Sequence, residues 1–228
     1  MLTAWLLALA LVGQTLGPVD VALDPGHSRA DIGAAGGGLR EYQLSLDLAM
    51  RVQARLTAAD LRVRLTRADD QPLTPLLHPY ATDEIELEQQ ARIAAAGPAR
   101  AYVSLHFNGG PASLRGTETY YNPERAPEAA STDRALAAAL QAHVVAALAD
   151  EIGYSSVDRG VRSDLLAGKP YGHFFGLRGP DPSALVENLF LSNANEAALL
   201  RDDATLDALA DGCAQGIFEY FADGAPAA

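Results

Sequence analysis

Two of the five histidines come soon after short apolar segments that have the composition of buried strands. His27 follows the segment 19–23 and the turn Asp-Pro-Gly, and His106 directly follows the segment 101–105. In open α/β sheets, functional sites gather at the carboxyl ends of the strands. Both imidazoles are therefore candidates for one site at the same edge of a sheet.

Two carboxylates could complete such a site. Glu41 begins a helical pattern after a glycine-rich loop, where a glutamate often serves only to interact with the helix dipole. Glu187 continues an apolar strand pattern, so its carboxylate must be paired, bind a metal or serve another purpose. Two histidines and one carboxylate are a standard catalytic zinc set, and a further carboxylate can accept a proton from water. The spacing permits this arrangement without proving it.

The composition limits the possible functions. The chain has 228 residues, with 17 Lys and Arg against 29 Asp and Glu, which gives a formal net charge of −12. This charge disfavours phosphate-rich partners, so we expect no binding of nucleic acid. The single cysteine, Cys213, excludes both an intrachain disulfide and a cysteine-based zinc cluster. Any metal site must therefore use histidines and carboxylates.

Strand patterns alternate with helix patterns along the chain, which favours an α/β fold around a mainly parallel sheet. The apolar pattern predicts helices over 41–59, 84–96 and 133–149, and one long or two shorter helices over 195–221. The proline-containing stretch 71–83 is expected to be a loop. Six strands are expected, over 19–23, 61–65, 101–105, 117–121, 173–177 and 184–186.

Residues 1–17 form an apolar segment that is typical of an export signal or a membrane anchor. No lysine or arginine precedes its apolar run, and Pro18 would directly follow the expected cleavage site. We expect export or membrane tethering through this segment; the alternative is an apolar segment packed on the domain. The remaining residues, 18–228, are expected to form one catalytic domain.

Four short motifs occur in a fixed order along the chain: Leu-Asp-Pro-Gly-His at 23–27, Leu-Arg-Glu at 39–41, Val-Ser-Leu-His-Phe-Asn at 103–108, and Leu-Val-Glu-Asn-Leu-Phe-Leu-Ser-Asn at 185–193. Together they resemble the zinc-dependent N-acetylmuramoyl-L-alanine amidases, which cut peptide stems from bacterial wall glycan. The resemblance extends over nearly the whole expected catalytic domain.

The resemblance implies a role for each motif. It places one Zn²⁺ per chain on His27, Glu41 and His106, and it makes Glu187 the catalytic glutamate. It further implies a twisted, mostly parallel, six-stranded sheet flanked by helices on both faces, with peptidoglycan or muropeptides as substrate in the periplasm or cell envelope. The chain departs from the family at 28–29, where glycine is usual, and at 188–189 in the last motif. These departures concern the substrate fit more than zinc binding.

Other functions remain open at this point. The same ligands could serve a zinc peptidase or an amidase that acts on another amide. The chain could instead be a catalytically silent wall-binding protein, or it could hold a structural zinc ion. Structural zinc sites usually have a fourth protein ligand, and the sequence offers no obvious one. Neither the stem-peptide preference nor the oligomeric state follows from the sequence.

Five further polar residues have weaker assignments. His78 is expected to be solvated, and His143 is expected to be a surface or boundary residue of its helix. His173 and Arg178 precede the Glu187 strand and could contact the substrate in the cleft, Arg178 by pairing with a carboxylate of the stem peptide. Asp24 is expected either to orient a ligand histidine or to cap the turn after the first strand.

Overall fold

The computed structural model describes residues 16–78, 80–180 and 182–223. Most of the expected signal or anchor segment lies outside the described residues. The strands are β1 (Val19–Pro25), β2 (Ala35–Gly36), β3 (Leu39–Arg40), β4 (Val63–Leu65), β5 (Ala99–Asn108), β6 (Thr117–Tyr121), β7 (Asp158–Ser163) and β8 (Ser183–Phe190). The helices are α1 (Glu41–Ala58), α2 (Thr82–Ala96), α3 (Pro127–Ile152), α4 (Ala194–Leu199) and α5 (Asp203–Ala222).

Six of these strands form one sheet in the order β4-β1-β5-β8-β6-β7. The first four of this order are parallel, whereas β6 runs antiparallel to β8 and parallel to β7. The short strands β2 and β3 pair separately as a hairpin within the glycine-rich loop. The predicted α/β fold with a mostly parallel, six-stranded sheet is therefore confirmed.

One expected strand in the second half of the chain is wrong, and one observed strand was not predicted. The segment 173–177 is not a strand, because Phe175–Leu177 forms a 3₁₀ turn whose apolar side chains are buried against the face of the sheet. The sixth strand is instead β7, which the sequence pattern did not indicate. This strand reads Asp-Arg-Gly-Val-Arg-Ser and pairs only with β6. An edge strand needs little apolar surface, so its sequence lacks the pattern of a buried strand.

Helices cover the two faces of the sheet unequally. Side chains from α1, α3 and α5 form the main core with one face, which includes Val103 and Leu105 of β5. Successive residues of a strand point to opposite faces. Ser104 and His106 therefore face the other side, where α2 packs beside the 3₁₀ turn. This second face is less covered, and the polar residues of β5 point towards it.

Helices α3 and α5 pack very closely. A Cβ atom on Gly212 would lie 2.7 Å from the Cα atom of Val144, and one on Gly216 would lie 2.7 Å from that of Leu140. Helix α3 is, among the described residues, long and apolar enough to cross a membrane, but part of its surface lies in the core. Its apolar composition is thus accounted for by burial between α5 and the sheet.

We expect Gly216→Ala to lower the free energy of unfolding by about 1–2 kcal/mol, because the overlap with the backbone of α3 outweighs the gain in helix propensity. Denaturant unfolding followed by circular dichroism measures this change. The control is Gln215→Ala at the neighbouring exposed position, which should leave the stability almost unchanged. An alanine variant at 216 as stable as the parent would contradict the close packing.

Candidate active site and metal centre

Three of the residues singled out in the sequence converge at the carboxyl end of the parallel strands. The Nε2 atom of His27 lies 3.2 Å from Oε2 of Glu41, and Nδ1 of His106 lies 2.9 Å from Oε1 of the same carboxylate. The potential ligand atoms of these three residues all lie within 4.8 Å of one another. The structure thus brings together the three predicted ligands, which are far apart in the chain.

Two glycines make this close approach possible. A Cβ atom on Gly26 would lie 2.6 Å from both ring nitrogens of His106. At Gly33 a Cβ atom would overlap the Glu41 carboxylate and lie 2.6 Å from Cδ2 of His27. Gly33 also has a φ of 66°, a conformation that glycine adopts at no steric cost. The site therefore needs residues without side chains at both positions.

His27 itself adopts a left-handed backbone conformation, with a φ of 59°. Two buried arginines hold the carbonyl groups around it. Arg92 donates hydrogen bonds to the carbonyl oxygens of Pro25 and His27, both at 2.6 Å, and Arg67 donates to those of Pro25 and Gly26. Backbone strain of this kind persists when the surrounding structure fixes it.

The ligand set is electrostatically coupled. Burial by itself would raise the pKa of Glu41, but the imidazoles of His27 and His106 hold that pKa below its usual range. Burial opposes a charge on His27, yet Glu41 and Asp31 raise the pKa of His27 to about 10. For His106 burial dominates, and its pKa is lowered. Each of the three groups therefore affects the ionisation of the other two.

The residues fit a metal ion in both chemistry and spacing. Ligand atoms about 2.1 Å from a tetrahedral zinc ion lie about 3.4 Å apart. The separations between Glu41 and the two histidines, 3.2 and 2.9 Å, are slightly shorter. The Nδ1 atom of His27 lies 2.7 Å from Oδ2 of Asp31, so its Nε2 atom is left facing the centre. Metal-binding histidines generally use such an outer partner. Asp31 was missed in the sequence, although it lies only four positions after His27.

Glu187 lies on β8 directly beside His106 of β5, as its place in the sequence suggested. Its Oε2 atom is buried and has no hydrogen-bond partner within the described part of the chain. Burial, and then the negative charge of Glu41, raise the pKa of Glu187 well above its usual value. A buried carboxylate oxygen without a partner destabilises the fold, so its presence here indicates a functional role.

The weaker assignments have mixed outcomes. Asp24 takes neither expected role: it is buried and accepts hydrogen bonds from Thr66, Ser104 and Arg92. Through Arg92 it supports the turn of His27 from a distance. The cleft role considered for His173 is not supported, because its imidazole is occupied by two carboxylates, those of Asp164 and Glu124.

The other predicted histidines lie on the surface. His78 is exposed and lies beside the carboxylate of Glu84, with 2.8 Å between Nδ1 and Oε1. His143 lies on the outer side of α3 and contacts Glu219, with 2.6 Å between Nε2 and Oε2. Both therefore fit their expected positions near solvent. Cys213 is buried in the core, which raises the pKa of its thiol to about 12.

The metal-ligand cluster and Glu187 line one cleft with a volume of about 490 Å³. Helix α2, the carboxyl ends of the strands and the segment 167–176 form its walls. The cleft is large enough for several residues of a substrate. Its floor therefore combines a possible metal centre with a carboxylate that is able to accept a proton.

Comparison with known proteins identifies the family. Residues 21–219 match the family model described as N-acetylmuramoyl-L-alanine amidase. The chain belongs to this amidase family. It is accordingly an enzyme, as its motifs predict.

Relatives and solved structures agree with this assignment. The N-acetylmuramoyl-L-alanine amidase LytC of Bacillus subtilis (strain 168) is 30% identical over 212 residues, which cover 92% of this chain and 36% of LytC. The catalytic domain of CwlV, an amidase of the same kind from Bacillus (Paenibacillus) polymyxa var. colistinus, is 29% identical, with a TM-score of 0.66 over 91% of this chain and 99% of that one. The fold also matches that of the CwlD amidase from Clostridioides difficile, solved in complex with the GerS lipoprotein, with a TM-score of 0.73 and 22% identity. The match covers 90% of this chain and 99% of that one.

We expect Gly26→Ala to lower amidase activity by about 100-fold, because the added methyl group displaces the His106 ring from the site. Hydrolysis rates on peptidoglycan measure the effect, with thermal unfolding to confirm that the variant is folded. Ala142→Ser is the control, since it adds one atom at an exposed position on α3 outside the cleft. Full activity of the Gly26 variant would show that the site tolerates a shifted His106.

In the enzyme from which metal has been removed with a chelator, Glu187→Gln should raise the free energy of unfolding at pH 8 by about 1–2 kcal/mol. Folding raises the pKa of the Glu187 carboxyl, so its ionisation is more costly in the folded state than in the unfolded state. The folded state therefore loses stability as the pH rises above the pKa of the unfolded state. The gain should therefore disappear near pH 3, where the carboxyl is protonated in both states.

Denaturant unfolding at several pH values checks this dependence. The control is Glu128→Gln in the exposed first turn of α3, where removal of a carboxylate should give no comparable gain. If the difference in stability between Glu187→Gln and the parent enzyme does not grow with pH, the raised pKa of Glu187 is contradicted.

Proposed function

We propose that this chain is a zinc-dependent amidase that hydrolyses the amide between N-acetylmuramic acid and L-alanine in peptidoglycan. In this proposal His27, Glu41 and His106 hold one zinc ion, and Glu187 is the catalytic residue. The observation that carries the proposal is the set of three ligand atoms within 4.8 Å, beside a buried carboxylate oxygen that has no partner in the described structure. The family assignment supports the same bond as the one that is cut.

A zinc ion bound by these ligands would lower the pKa of water towards about 7 and polarise the scissile carbonyl group. The protein's own contribution is proton transfer by Glu187. Its carboxylate accepts a proton from the attacking water and then delivers it to the nitrogen of the leaving alanine, as the C–N bond breaks. A carboxyl group suits both steps, because its ionised form accepts a proton and its protonated form donates one.

The ligand set also favours catalysis over a purely structural metal site. Structural zinc sites are usually closed by four protein ligands. Among the described residues the cluster comprises three, and it opens into the cleft. Glu187 lies beside the cluster, so the arrangement also fits a working enzyme better than a catalytically silent wall-binding protein.

We further propose that the enzyme works in the cell envelope, because peptidoglycan lies outside the cytoplasmic membrane. Residues 1–17 would serve as the export signal or membrane tether, and residues 18–228 would form one catalytic domain. The family match over 21–219 supports this division.

Digestion of purified peptidoglycan tests the reaction and the metal together. We expect new alanine amino termini and stem-free glycan strands, loss of both products with EDTA, and recovery when zinc is added. Release of other amino termini would favour a peptidase, and binding to peptidoglycan without any hydrolysis would favour a wall-binding protein.

Glu187→Gln should reduce turnover by about 100- to 10,000-fold and leave one zinc ion per chain, because the amide keeps the shape but cannot accept the proton. Turnover and metal content are measured on the same preparation. Glu128→Gln, which removes an exposed carboxylate outside the cleft, should retain full activity. Substantial turnover by the Glu187 variant would overturn its assigned role.

A further inference from the structure

Lys169 is the only lysine in the chain and lies on a wall of the cleft. The 3₁₀ turn Asp164–Ala167 ends at Gly168, whose φ of 67° redirects the backbone. The N–H group of Gly172 then donates a hydrogen bond to the carbonyl oxygen of Lys169 at 3.0 Å. The position of Lys169 is thus set by a defined turn.

The far end of this segment is also fixed. The carboxylate of Asp164 accepts a hydrogen bond from the backbone N–H of Phe174 and contacts the imidazole of His173. The rings of Tyr171 and Phe175 stack with 4.5 Å between their centroids. An anchored segment of this kind presents the side chain of Lys169 from a constant place on the cleft wall.

The ammonium group of Lys169 is exposed and has no hydrogen bond or ion pair with the described residues. Its Nζ atom lies 5.6 Å from the centroid of the Phe174 ring. The other cations nearby are already engaged. Arg92 is buried against Asp24, Glu88 and backbone carbonyls, while Arg178 donates to the carbonyl oxygens of Tyr171 and His173 and lies over the Phe175 ring.

This cation shares the cleft with several acidic side chains. The cleft is lined by the carboxylates of Asp31, Glu41, Glu88 and Glu187, in a chain with a net charge of −12. Glu88 is paired with Arg92, and Asp31 and Glu41 are paired with His27, so a free carboxylate of a peptide substrate would need a cation that is not already paired. Lys169 and Glu187 line the same cleft.

We propose that Lys169 binds a carboxylate of the stem peptide, on the alanine side of the scissile amide, and thereby makes the enzyme prefer acidic stems to amidated ones. This role rests on the proposed function, because it assigns the substrate's peptide to this part of the same cleft. It differs from the expectation that Arg178 pairs with that carboxylate, because Nη2 of Arg178 donates to two backbone carbonyl groups and Arg178 is not among the residues that line the cleft.

Two muramoyl peptides of the same sequence test the assignment, one with free carboxylates and one with carboxamides in their place. The parent enzyme should have a kcat/KM about fivefold higher for the acidic peptide, the value expected for one partly exposed charge pair. Lys169→Met should cleave both peptides at the rate of the parent enzyme on the carboxamide, with the change mainly in KM. Lys169→Arg should restore most of the preference.

Arg134→Met is the matched control, because it removes an equal charge from an exposed position on α3 outside the cleft. It should keep the preference of the parent enzyme. The assignment is overturned if Lys169→Met keeps that preference, or if it lowers both rates equally with a shifted pH profile, which would mean that Lys169 acts only through Glu187. Failure of the parent enzyme to cleave either peptide would instead overturn the proposed function itself.

Discussion

The site depends on a backbone turn that two buried guanidinium groups hold in place. The carbonyl oxygens of residues 25–27 accept hydrogen bonds from Arg67 and Arg92, and this turn gives His27 its left-handed conformation. Burial, followed by repulsion from Arg92, lowers the pKa of Arg67 to about 10. Two cations so close together are tolerated because Asp24 and Glu88 lie beside Arg92. Removal of one partner from such a buried network leaves an uncompensated charge.

The parallel sheet supplies the rest of the geometry. Because β5 and β8 are parallel and in register, His106 and Glu187 are neighbours on the less covered face. Glu41 reaches the same place from the first turn of α1, where it also accepts hydrogen bonds from the N–H groups of Ala34 and Phe107. One carboxylate therefore ties the loop, the helix and the central strand together, and it orients two imidazoles at the same time.

The electrostatics of the cleft lower the stability of the fold at Glu187. This residue has a buried oxygen without a partner among the described residues, and its ionisation is opposed by burial and by Glu41. A Gln at this position would remove that cost, so we interpret the carboxylate as a functional group. Lys169 lines the same cleft, and its positive charge opposes the rise in the pKa of Glu187. The cleft thus holds the proposed proton acceptor together with the lysine proposed to bind the stem peptide.

The sequence by itself determined the α/β class, most helices and buried strands, and the four residues at the centre of the site. These features follow from local apolar periodicity and from short motifs, which neighbouring residues encode. The resemblance, rather than spacing, assigned the ligands among the available carboxylates. Only the tertiary structure located β7, because an edge strand is specified by pairing and not by apolar residues. It also revealed the partners of His27 and the engagement of Arg178, since these contacts depend on where distant segments and turns place their polar groups.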